Sequence, residues 1–179
     1  MRSLKVVVTG MVAVVALSAS CSHQVTAGAG PLQMGGDSGE LCMQADGARD
    51  LTFGFDAVSN SSPEPVTLGS VSLVDARGLR LVAARIFPVE HTTTIGVWAR
   101  WPPVNAEATA VWARGVEARG ARVQQRDGDR NLVLHLVATS DEAGFDAVRV
   151  RYRVGTREFV GRTSTRFRVK PSCTPSGRD

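Results

Sequence analysis

The octapeptide Ala147–Val154, AVRVRYRV, alternates strictly between apolar residues and arginine. Successive side chains of an extended strand point to opposite faces. Val148, Val150, Tyr152 and Val154 therefore share one face, and Arg149, Arg151 and Arg153 share the other. A helix, with its period of 3.6, would scatter the arginines around its axis. The segment thus requires a strand with one dry face and one wet face, and the dry face needs a second layer to cover it.

Similar short segments recur along the chain. Residues 51–58 (LTFGFDAV) place Leu51, Phe53 and Phe55 on one side, and the turn cluster SNSSPEP follows. Strands are expected at 66–74, 79–87 and 94–101, the last ended by Pro102-Pro103 because proline cannot donate to a ladder. After a turn at RDGDR come 131–138 and 147–154, then a tight connection at Gly155-Thr156 and a final segment, 157–169. One stretch changes period. Ala108, Val111, Trp112 and Val116 fall at helical spacing, with Asn105 placed to cap the start, Glu107 near the positive end and Gly120 to stop it. The reading is a mainly β chain: an antiparallel sandwich of about seven strands, with one short helix inserted near 106–118. The pattern resembles an immunoglobulin-like (Ig-like) domain, but lacks the inter-sheet Cys…Trp…Cys spacing of true immunoglobulin domains.

The N-terminus reads differently. Arg2 and Lys5 precede an uncharged run, VVVTGMVAVVALSAS, that ends at Cys21. It is shorter than the ~20 apolar residues a spanning helix needs and has the shape of an export signal. The segment LSASC, Leu17–Cys21, resembles the lipobox of bacterial lipoproteins, although Ser18 stands where that pattern prefers leucine. The resemblance implies that residues 1–20 are a signal peptide and that Cys21 carries a lipid. The chain would then be anchored to the extracytoplasmic face of the cell membrane. Of the three cysteines, Cys42 and Cys173 are then left to pair in an oxidising compartment. Residues 21–41 are glycine- and serine-rich and read as a flexible tether, residues 42–173 as the folded domain and residues 174–179 as a tail. Together, leader, tether and arginine-rich sandwich are similar to envelope lipoproteins of GC-rich actinobacteria, a group that supplies no activity to carry over.

Within the tether, Gly36-Asp37-Ser38-Gly39 spells the run that surrounds the nucleophile of trypsin-like proteases. A serine nucleophile needs a histidine and a carboxylate fixed around it, and only His23 precedes Ser38. His91 falls in an expected loop, and His135 alternates with Leu134 and Leu136, so it faces outward. Asp127 and Asp129 suit a hairpin turn better than a calcium loop, which needs further oxygen ligands. No spacing of a metal site or phosphate loop occurs, so neither metal nor cofactor is expected. Trp98 and Trp112 read as core, and Trp101 as a surface aromatic.

Charge is uneven. Residues 145–170 hold eight Arg or Lys against Asp146 and Glu158, whereas residues 42–144 hold ten Arg against twelve Asp or Glu. The basic C-terminal hairpin, with Arg149, Arg151, Arg153, Arg166 and Arg168, is the expected contact face of a non-enzymatic binding module. Its partner would be an anionic lipid headgroup, an envelope polymer or an acidic protein. Nucleic acid is not expected for a chain that reads as exported and has no aromatics interleaved with these arginines on their own face. The alternative is a small-ligand or glycan binder using Trp101 and nearby loops. An envelope hydrolase is the third reading.

Overall fold

A computed structural model describes residues 25–27, 30–35, 39–89, 94–104 and 106–173. Fifteen strand segments follow in order: β1 (Val25–Ala27), β2 (Leu32–Gly35), β3 (Glu40–Gln44), β4 (Asp50–Gly54), β5 (Ala57–Asn60), β6 (Val66–Val74), β7 (Leu79–Pro88) and β8 (Gly96–Trp98). After helix α1 (Ala106–Trp112) come β9 (Val116–Glu117), β10 (Arg122–Val123), β11 (Arg130–Ala138), β12 (Ala143–Phe145), β13 (Ala147–Val154), β14 (Arg157–Arg162) and β15 (Arg166–Lys170). Among the described residues the chain is mainly β, with antiparallel sheets and one short α-helix, as its period predicts. Its strands outnumber the expected seven because many are two to four residues long, too short to show an alternation.

One sheet has the order β1-β14-β13-β6-β10. A larger one is built around β11, which pairs with β4 and β5 on one edge and β7 on the other. β8 extends it beyond β4, β2 beyond β5 and β9 beyond β7. A three-stranded sheet, β12-β15-β3, closes one end. Most pairings are antiparallel; β1–β14 and β3–β15 are parallel.

The core is the dry side of the alternating strands. Val148, Val150, Tyr152 and Val154 are buried together with Leu132, Leu134, Leu136, Leu51 and Phe53 of the larger sheet. Phe53, Phe145 and Phe167, from β4, β12 and β15, meet with ring centroids 5.1–5.6 Å apart. Burying side chains of this size stabilises by roughly 1.5–3 kcal/mol each before entropy is counted.

Four local expectations change. Within the expected tether, Val25–Ala27, Leu32–Gly35 and the first two residues of β3, Glu40 and Leu41, are strand, because each finds an edge in a distant segment: β14 for β1, β5 for β2 and β15 for β3. The segment 51–58 breaks at Phe55-Asp56, where the Asp56 carbonyl accepts the Leu132 amide and the Asn131 side chain. The helix stops at Trp112 rather than near 118. Gly115 packs so closely on Phe87 that a Cβ there would overlap the ring, and Val116 and Glu117 pair with β7. RDGDR, containing Asp127 and Asp129, links strands of two different sheets rather than a hairpin. Its Asp127 carboxylate accepts the Gln124 amide at 2.9 Å. The tight connection at Gly155-Thr156 is as expected: Val154 pairs with Arg157, and Gly155 has φ 56°.

Cys42 and Cys173 are bonded, with Cα atoms 5.8 Å apart and a separation of 131 positions in sequence. A loop of that length restricts the unfolded chain strongly, by about 4–5 kcal/mol on a chain-entropy argument. Replacing both cysteines with serine should lower the urea midpoint by a corresponding amount. An unchanged midpoint in equilibrium denaturation would show that the bond contributes nothing to the folded state.

Candidate functional site

The outer face of the five-stranded sheet is where the arginines stand. On β13, Arg149, Arg151 and Arg153 are exposed and alternate with buried neighbours. Residues two apart on a strand lie roughly 6.6–7 Å apart, so the three form a row of even spacing. Register brings others beside them. Arg162 is directly opposite Arg149, Val160 opposite Arg151 and Glu158 opposite Arg153. On the other side Ser72 faces Arg149, and Thr67 links Arg153 to Arg122 of β10. A one-residue irregularity in β6 leaves Gly69 against the Arg151 backbone, with no room for a Cβ. Arg119, Arg151, Arg153 and Glu158 line one shallow groove on this face. Arg149, Arg162, Gln33 and Met34 line another beside β2.

Among the described residues, none of Arg122, Arg149, Arg151, Arg153 and Arg162 lies within ion-pairing distance of a carboxylate, and Glu158 is the one acid on this face of these strands. Like charges directly opposed across a pair of strands are destabilising. Arg149 against Arg162 is such a pair, and an anion between them would relieve it. Guanidinium groups suit this task because their planar donors match carboxylate and phosphate oxygens.

The basic segment expected over 145–170 is not one surface. β15 leaves the five-stranded sheet and pairs with β3 and β12. Arg168 is turned to internal work: it bonds Asp146 at 2.6 Å, lies 3.5 Å from Glu40, and donates to the Phe145 and Phe167 carbonyls. That guanidinium holds the Asp146 carboxyl below its ordinary range. Arg166 is exposed, but in register with Glu40 on the small sheet. Neither joins the row on β13. Arg162, counted in the basic segment but not singled out, and Arg119 and Arg122, which lie outside it, do border it. Their placement follows from strand register, which no single segment displays.

Trp101 is also differently placed. It is half-buried, stacked on His135 with centroids 4.6 Å apart and 3° between planes. Its edge contact with Trp112 is at 4.8 Å, and Trp112 in turn packs on Phe87. These rings, with Trp98, Val111, Ile95 and Val133, form a second apolar cluster on the far side of the larger sheet. Trp98 and Trp112 are half-buried there rather than in the main core. His135 takes one ring face of Trp101, and Trp112 meets the indole at 76° between planes. Facing away from the core does not expose His135, because the indole covers it. Its Nε2 is 2.7 Å from Asp50 Oδ1, a base-and-carboxylate pairing. The nearest cross-strand hydroxyl, Thr52, donates to the Arg100 carbonyl at 2.6 Å instead. His91, Ser38 and Cys21 lie outside the described residues. Among the described residues no cluster of three His, Cys, Asp or Glu could hold a metal, and no helix is long and apolar enough to cross a membrane.

No family model and no curated protein matches the chain.

One titratable group missed by sequence reasoning is buried. Asp56 is fully covered, its Oδ1 accepts the Thr165 hydroxyl at 3.0 Å, and its Oδ2 has no hydrogen-bond partner. Burial pushes its carboxyl up to about 6, against the pull of the Thr165 and Thr163 hydroxyls. In the unfolded chain it titrates near pH ~4. Between about pH 4 and 6 the folded chain keeps a proton that the unfolded chain has lost, so this contribution is full below pH ~4 and fades as pH rises. Asp56→Asn should remove that slope. Relative to the parent, its stability should improve by up to about 3 kcal/mol between pH ~4 and ~7. Urea denaturation across this range checks it, and parallel curves for the two proteins would refute it.

Proposed function

We propose that this protein is a lipid-anchored extracytoplasmic module that binds an anionic partner, without catalysis, through the outer face of its five-stranded sheet. The observation that carries this reading is the row Arg149, Arg151 and Arg153 with Arg162 and Arg122 beside it, all without carboxylate partners among the described residues. The contrast within the chain supports it. Arg130 and Arg168, whose side chains are mostly covered, each have an acidic partner within 3.5 Å. The anchor rests on the lipobox-like Leu17–Cys21 and on the engagement of the other two cysteines in a disulfide.

Arginines on an open sheet face act at the surface, where salt screens them. Binding of the full chain to long-chain inorganic polyphosphate should weaken at least tenfold or so between about 50 and 300 mM salt. The triple reversal Arg149→Glu, Arg151→Glu, Arg153→Glu should abolish it, whereas Arg166→Glu or Arg80→Glu should leave it nearly intact. Binding that is indifferent to salt, or to the triple reversal, would remove the face from the account. Mass measurement of the mature N-terminus tests the anchor: Cys21 should carry acyl chains.

A further inference from the structure

The first described residues enter the sheet that carries the arginines. β1 lies on its edge, parallel to β14, with Val25 in register with Glu158 and Ala27 with Val160. The cross-strand row that begins at Val25 runs through Glu158, Arg153 and Thr67 to Arg122. Neighbouring strands are about 4.8 Å apart, which puts the Val25 and Arg153 backbones about 10 Å apart. Cys21 precedes Val25 by four residues, and four residues reach at most about 14 Å even when extended. Anything attached to Cys21 is therefore held within about 14 Å of the sheet edge. The covalent length between Cys21 and the sheet is too short to lift the domain away from a surface.

We propose that the arginine face docks on the anionic phospholipid headgroups of the same bilayer that holds the Cys21 lipid, an inference that rests on the anchored-module reading above. The face is suited to a planar, repeating anion. Its arginines are spread over β10, β13 and β14 rather than gathered in a pocket, and Thr67, Ser72 and Val160 between them are modest in size. They cannot be withdrawn, because each on β13 is fixed outward by a buried neighbour on either side. The short leash makes the encounter intramolecular, so weak attraction per arginine suffices. A soluble polyanion would have to displace headgroups already held at high local concentration.

The test uses the full chain, expressed in a host that processes lipoproteins, extracted from membranes and reconstituted into vesicles. The vesicles contain either about 30% phosphatidylglycerol or phosphatidylcholine alone. One fluorophore is placed at Ser72→Cys on the arginine face and, separately, at Val82→Cys, exposed on β7 of the other sheet. Headgroup-attached quenchers should dim the Ser72 probe at least threefold or so more than the Val82 probe in anionic vesicles, and not in neutral ones. High salt, the triple arginine reversal, or a spacer of about twenty Gly and Ser residues inserted after Cys21 should each reduce the difference. The spacer leaves the folded body untouched. Equal quenching of the two probes in anionic vesicles overturns the docking. If polyphosphate binding then persists, the face serves another polyanion and the module reading stands; if that binding is also absent, both fall. A chain that never reaches the membrane fraction overturns the anchor, and the docking with it.

Discussion

β11 is the strand on which the larger sheet depends. It is hydrogen-bonded along both edges, and its buried Asn131 adds bonds that no ladder supplies. The Asn131 amide donates to the Gly54 and Asp56 carbonyls, and its oxygen accepts the Ile95 amide. Each such bond contributes about 1 kcal/mol net, but a buried backbone group left without one costs more. This one side chain therefore fixes the break between β4 and β5 and positions the loop leading to β8. Leu132, Leu134 and Leu136 then point into the main core, while Val133 and His135 point at the aromatic cluster.

The two sheets differ in how much of them is covered. The larger one is packed on both sides: one side holds the shared core, the other the cluster formed by Phe87, Trp98, Trp101 and Trp112. Among the described residues the five-stranded sheet is packed on one side only, and its other side presents guanidinium groups. The helix and the tryptophans thus belong to the cover of β11 and β7, whereas the arginine row stands on the other sheet.

Much of this was legible locally. Strands β6, β7, β11, β13 and β14 are long enough for alternation to show, and the pairing of Cys42 with Cys173 follows from cysteine parity once Cys21 is set aside. What stayed hidden depends on partners far away in sequence. β2 and β3 look like linker because their order comes from β5 and β15. Trp101 looks exposed because its cover, His135, is on a different strand. The segment 157–169 reads as one strand, yet it divides at Thr163–Thr165. There Thr163 bonds the Val148 backbone and Thr165 bonds Asp56. The polar run Thr163-Ser164-Thr165 inside an apolar alternation was the available sign of that division, and it separates Arg166 and Arg168 from the arginines of β13.

The Cys42–Cys173 bond also decides how the protein transmits force. Tension entering at an anchored N-terminus and leaving at the far end of the chain would pass from Cys42 to Cys173 through sulfur, and the 130 residues between them would bear none of it. The segments outside the bridge, β1 and β2 among them, lie in the line of load. Under strain the body would stay shut while those two edge strands peeled away, lengthening the leash without unfolding the cargo.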